Sequence, residues 1–232
     1  MGKSISWAER QLKGTGLIGL GYRDYIAARF LLNNKFIIQG LTLASTAVEK
    51  YLKSLLVFNL NERELYNYHF DRIEKLQDLL DKHYFDVTEE FDPIFLSILE
   101  KAFKIRYYDR LKQPIEFGFY LNQFIGELDN TINLLETSLG PDISLNTITP
   151  YKRAIKSEDQ YLFENNYVLM GLDKKTFMER PTIAYSIHIY ISPSTYTEKP
   201  VVGIDITPPV YEGKLSIYSD FQSNWFINTS EK

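Results

Sequence analysis

The chain predicts an α+β fold: an N-terminal up-and-down bundle of about five helices, followed by a small antiparallel β-sheet. Three observations carry this. Residues 36–58, FIIQGLTLASTAVEKYLKSLLVF, place Ile37, Leu41, Ala44, Val48, Tyr51 and Leu55 at steps of three and four, the spacing of one buried helical face. Gly140-Pro141 then closes the helical grammar, because Gly supplies cap geometry and Pro cannot continue a helix. Beyond it, Ile183, Tyr185, Ile187, Ile189 and Ile191 alternate with Ala184, Ser186, His188, Tyr190 and Ser192, the period of a strand with one buried face.

Each element has its own reason. A first helix is expected from Tyr22 to Leu32, with Tyr25, Ile26, Arg29 and Phe30 spaced around its inner side and Asn33-Asn34 as its stop. The second is the 36–58 segment, where Gly40, Ala44 and Ala47 form a strip small enough for another helix to approach closely. The third runs from about Phe70 to Lys82. Asp92 followed by Pro93 starts the fourth, an acidic cap and a first-turn proline. The fifth is expected from about Ile115 to Leu139, with Phe117, Leu121, Phe124, Leu128, Ile132 and Leu135 on one stripe. Residues 141–160, with Pro141, Pro150 and scattered Ser, Thr and Asn, suit a linker. Residues 161–232 suit a β-meander, with Tyr161 to Leu169, Val202 to Ile206 and Leu215 to Ile217 as further strands. The expected division is thus 1–140, 141–160 and 161–232.

Composition narrows the function classes. The 232 residues are 44% hydrophobic and 24% charged, an ordinary globular balance, and 17 Tyr and 15 Phe can fill a core. A net charge of −4 gives no global attraction for nucleic acid or anionic lipid. With no cysteine there is no disulfide, thiolate metal site or cysteine nucleophile, which fits a cytoplasmic chain. The longest apolar runs are broken by Gln39, Glu49, Lys50 and Lys53, so no membrane span is expected.

Candidate chemistry is sparse. Gly14, Gly16 and Gly19 spell G-x-G-x-x-G, but a dinucleotide fingerprint needs a strand before it and an acid about twenty residues later; a flexible turn is the expectation, and no cofactor. His69, His83 and His188 are isolated, and none belongs to a metal-ligand pair. The strongest local feature is KAFKIRYYDRLKQ. It sets Lys101, Lys104, Arg106 and Arg110 beside Tyr107 and Tyr108, cations for phosphate with rings for stacking. The same pattern also suits a solvated helix end.

Three segments resemble the HEPN superfamily. ASTAVEKYLK, Ala44 to Lys53, is similar to that family's A-x-E-K-x-L-K run. HFDRIEKL, His69 to Leu76, is similar to its H-x-L-x-x-L opening, and IRYY, Ile105 to Tyr108, to its R-Y segment. The resemblance covers about Tyr22 to Leu139. It implies a helical bundle that often dimerises, in a family that includes ribonucleases of toxin and defence systems and partners of nucleotidyltransferases. Those nucleases use an R-x4-6-H motif. Arg106 matches its arginine, while Leu111, Lys112 and Gln113 stand where its histidine would be. The expected function is therefore a non-catalytic binding or regulatory protein, a homodimer contacting RNA or nucleotide phosphate near Arg106. A divergent ribonuclease and a structural interaction module are the rivals.

Overall fold

The computed structural model describes residues 6–57, 73–82, 89–107, 114–139, 148–189 and 198–218. In chain order it contains α1 (Trp7–Asn33), α2 (Ile37–Leu56), α3 (Ile73–Lys82), α4 (Pro93–Ile105), β1 (Ile115–Tyr120), α5 (Leu121–Ser138), α6 (Pro150–Lys156), α7 (Gln160–Phe163), α8 (Lys174–Met178), β2 (Thr182–Ile189) and β3 (Glu198–Ile206). Among the described residues it is a mostly helical α+β structure with one three-stranded antiparallel sheet, ordered β1-β2-β3.

The first helix starts fifteen residues earlier than the apolar spacing suggests, at Trp7 rather than Tyr22. Ser6 sets that start through a capping box: its hydroxyl accepts from the Glu9 amide at 3.3 Å and the Glu9 carboxylate accepts from the Ser6 amide at 2.7 Å. The three glycines of G-x-G-x-x-G consequently lie inside α1, in helical backbone rather than in a turn. Glycine weakens a helix, but Leu17, Ile18, Gly21, Tyr25, Ala28 and Leu32 keep a buried face running through the segment, and that packing outweighs propensity. The helix stops at Asn33 with Asn34 as its cap, as expected, while the left-handed residue, at a φ of 67°, is Lys35 rather than either asparagine.

Helices α1 and α2 pack along one another, and small residues set their approach. A Cβ at Gly21 would lie 3.0 Å from the Tyr51 ring and 3.3 Å from the Ala47 carbonyl oxygen. One at Gly40 would lie 2.6 Å from Leu32 Cγ. Ala44 and Ala47 are completely buried. Other contacts of α2 reach α3, α4 and α5, so it is the central rod of the bundle. Three polar residues of the AVEKYLK run make structural bonds: Glu49 to Lys53 at 2.8 Å within the helix, and Lys50 to Asp24 of α1 at 2.5 Å.

Residues 115–139 do not form one helix. Ile115 to Tyr120 is β1, and α5 begins only at Leu121. The stripe Phe117, Leu121, Phe124 fits a helix, but Ile115, Phe117 and Phe119 also alternate, and pairing with β2 decides between the two periods. Phe117 faces Ile187 and Phe119 faces Tyr185 across the ladder, all four buried in the cluster that includes Leu52, Phe95, Phe124 and Leu128. The opposite face carries Glu116, Gly118 and Tyr120 against His188, Ser186 and Ala184. His188 therefore points away from Ile187, as alternation predicts. The middle of that second face is covered too, by Tyr218, whose ring meets Tyr120 edge-on at 5.7 Å. Gly118 permits this, since a Cβ there would fall 2.1 Å from the Tyr218 carbonyl oxygen. Ile217 bridges to Phe119.

Two further expectations are corrected. Pro150 does not mark a linker; it is the first residue of α6, capped by Thr149, whose hydroxyl accepts from the Lys152 amide at 3.2 Å. Tyr161 to Leu169 is not a strand. Asp159 accepts from the amides of Tyr161 and Leu162 and caps the short α7, after which turns follow through Asn165 at a positive φ of 54°.

Because Ala44 is sealed within the bundle, Ala44→Phe should overpack it and cost about 1–3 kcal/mol. Urea denaturation reads this as a lowered midpoint at unchanged slope; an unchanged midpoint would contradict the packing described.

Candidate functional site

The corner at the end of α4 is built by its cap. Asp92 Oδ1 accepts from the Ile94 and Phe95 amides, each at 2.8 Å, and Pro93 supplies the first turn. Thirteen residues later the helix ends at Ile105, and the Tyr107 amide donates back to the Lys104 carbonyl at 3.0 Å. This turn throws Arg106 and Tyr107 outward, both exposed. The Arg106 guanidinium sits 5.5 Å from the centre of the Tyr107 ring, and that ring lies 5.4 Å from Phe103.

The other cations of the cluster are deployed differently. Lys104 pairs with Glu100 at 2.6 Å, one helical turn back. Lys101 folds over the Phe117 ring at 5.6 Å and donates to the Glu116 carbonyl at 3.3 Å, fastening α4 to β1. Tyr108 and Arg110 lie outside the described residues, as do His69 and His83. The remaining histidine, His188, has its Nδ1 3.7 Å from Glu116 across the sheet. Among the described residues no group of three or more His, Cys, Asp or Glu is placed to hold a metal ion.

A second site escapes inspection of motifs. A groove of about 370 Å³ runs between α1 and the start of α6. Arg23 and Arg153 line it together with Ile18, Gly19, Tyr22 and Pro150. Both arginines are exposed, and neither makes an ion pair with any described residue. They are 130 positions apart in sequence (153 − 23), so no local pattern could have joined them.

Beneath this groove lies a layer of buried polar groups. Tyr25 donates to Asp129 Oδ1 at 2.8 Å, Arg29 pairs with Asp129 Oδ2 and donates to the Glu164 carbonyl, and Asn166 donates to Tyr25 Oη at 3.2 Å. Alongside, Glu136 accepts from Tyr51 at 2.8 Å and from Thr149 at 2.7 Å. Burial pushes the Asp129 and Glu136 carboxyls above their ordinary range, and the hydrogen bonds they accept pull against that shift. Burial, with Asp159 and Glu136 nearby, raises Tyr22 to about 12, and burial beside Asp129 or Glu136 lifts Tyr25, Tyr51 and Tyr151 further. In the sequence the only hint of this layer is Arg29, a cation one turn after Tyr25 on an otherwise apolar helix face.

Comparison with protein-family models, with curated proteins and with solved structures finds no match.

The tyrosine shifts fix a pH response. A raised acid binds its proton more tightly in the folded chain, so its contribution is fully present below the ordinary tyrosine range near 10 and is lost as pH rises toward the folded value, about 12 for Tyr22. Stability should therefore fall steeply above about pH 10. Alkaline titration followed by tyrosinate absorbance and far-ultraviolet circular dichroism should show a late group of tyrosines ionising together with loss of helix. Ionisation of all 17 tyrosines near the ordinary value with the helices intact would contradict the burial.

Proposed function

We propose that this chain is a HEPN-like, non-catalytic binding or regulatory protein that contacts the phosphate of an RNA or nucleotide at the Arg106 corner. The single observation that carries the reading is the outward-turned pair of Arg106 and Tyr107, a guanidinium lying over an exposed ring. A guanidinium offers phosphate a planar fork, and an exposed ring offers a base a stacking face. Lys101 and Lys104 are held by β1 and Glu100, so they raise the local potential more than they grip a ligand. Their engagement favours weak, salt-sensitive binding. At the place where the family's nucleases carry a histidine this chain has Leu111, Lys112 and Gln113, which supply no general acid or base of that kind. The resemblance further suggests that the chain acts as a helical homodimer, with RNA or a nucleotidyltransferase as its partner.

The test is titration with labelled single-stranded RNA and with ATP, in low and moderate salt, beside Arg106→Ala. Wild type should bind one of them at low salt, more weakly as salt rises, and Arg106→Ala should lose about tenfold or more, the worth of a charge-assisted bond. No binding by wild type at low salt would contradict the reading. Cleavage of RNA by wild type and not by Arg106→Ala would replace it with the divergent ribonuclease.

A further inference from the structure

The groove between α1 and α6 has the features of a small-ligand site, and it is separate from the Arg106 corner. Its volume of about 370 Å³ lies at the low end of the range for small-molecule pockets, roughly 300–1,000 Å³. Its chemistry is divided. Arg23 from one wall and Arg153 from the other supply two guanidinium groups, while Ile18, Ile148 and Pro150 supply apolar surface. The nearby carboxylates are already engaged: Glu136 accepts from Tyr51 and Thr149, Asp159 caps α7, and Asp24 pairs with Lys50. Two cations facing open solvent across a groove, with no described carboxylate between them, call for an anion.

The shape of the rest narrows that anion. Tyr22 is held edge-on against Tyr151, ring centres 6.4 Å apart, so its aromatic face has a fixed place in the wall. Its hydroxyl, like that of any tyrosine at neutral pH, carries its proton and is a donor. Gly19 adds room: nothing lies within 4 Å of where its Cβ would be, so the helix surface is open at that point. Here glycine inside a helix, a weak choice by propensity, leaves space that any larger side chain would occupy.

We propose that this groove binds a small phosphate monoester with a planar apolar body, the chemistry of a nucleoside monophosphate, with Arg23 and Arg153 on the phosphate and Tyr22, Ile18 and Pro150 against the body. The site stands whether or not the Arg106 corner binds RNA.

The experiment is calorimetric titration of the full chain with AMP, adenosine and inorganic phosphate, using wild type, Arg23→Ala, Arg153→Ala, Gly19→Leu and Arg106→Ala. Wild type should bind AMP about tenfold or more tightly than adenosine or phosphate alone, since each lacks half of the contacts. Each arginine variant should lose about tenfold or more, and Gly19→Leu, which fills the groove from a helical position that tolerates leucine, should lose binding while its melting temperature is kept or raised. Made in the Arg106→Ala background, the Arg23→Ala and Arg153→Ala changes should cause the same loss of AMP binding, which separates this site from the corner. Absence of AMP binding by wild type would overturn the proposal, as would AMP affinity unchanged in the two arginine variants and Gly19→Leu. AMP and inorganic phosphate bound equally well would overturn the part assigned to the apolar wall.

Discussion

The Asp129 carboxylate is the constraint on which the structure turns. It has no solvent exposure, and it sits on α5 among Phe124, Leu128, Ile132 and Leu135. A charge in that position is tolerable only if it is paired and its remaining lone pairs are satisfied. Arg29 and Tyr25, one turn apart on α1, do both, and Arg29 reaches on to the Glu164 carbonyl while Asn166 closes the ring through Tyr25. The bonds form together only when α1, α5 and the turn after α7 stand in one register. Apolar packing tolerates a slide of one helix along another more readily than this fork does. The same register sets Gly21 against Tyr51 and aims Tyr51 at Glu136, and it places Tyr22 and Arg23 at the groove.

A second set of buried polar groups fixes the other end of α5. Gln123 accepts from the Ser216 amide at 3.0 Å, Asp92 accepts from the Leu215 amide at 2.6 Å, and Glu127 holds Tyr211 at 3.1 Å and Lys174 at 2.6 Å. Together they draw residues 211–218 across the sheet, where Tyr218 closes over Gly118 and Tyr120. Asp92 is shared: one oxygen caps α4 and the other anchors the C-terminal segment. The helix that presents Arg106 is thereby tied at its start to the sheet's cover and along its length, through Lys101, to β1. The exposed corner is thereby anchored at two places, through Asp92 and through Lys101.

Much of the fold could be read from residue spacing, and the failures have physical causes. The apolar period of α2 and the alternation of β2 were legible because the bulkier apolar residues repeat along one face of each, although residues 184–187 of β2 are buried on both faces. The segment from Ile115 to Tyr120 was not, since its apolar residues satisfy both periods and the deciding partner, β2, lies more than sixty residues away. Likewise Thr149-Pro150 reads locally as linker, although the same pair is a cap followed by a first-turn proline. Of the candidate site, Arg106 and Tyr107 were legible as cation beside ring. That Lys101 would turn inward onto Phe117 was not, because it depends on β1. The groove was invisible, as Arg23 and Arg153 meet only when α6 docks on α1. Arg29 stood in plain view, but nothing in the spacing named Asp129 as its partner a hundred residues later.

The measurement that bears most directly on this account is a double-mutant cycle at Arg29 and Asp129, read by urea denaturation. Arg29→Met or Asp129→Leu alone strands a buried charge or its partners and should cost about 3–5 kcal/mol. The double variant removes both charges, so it should cost less than the sum of the two single changes by at least about 1 kcal/mol, and it should remain folded. Simple additivity of the two changes, or two nearly neutral single variants, would contradict the view that this pair sets the register of the fold.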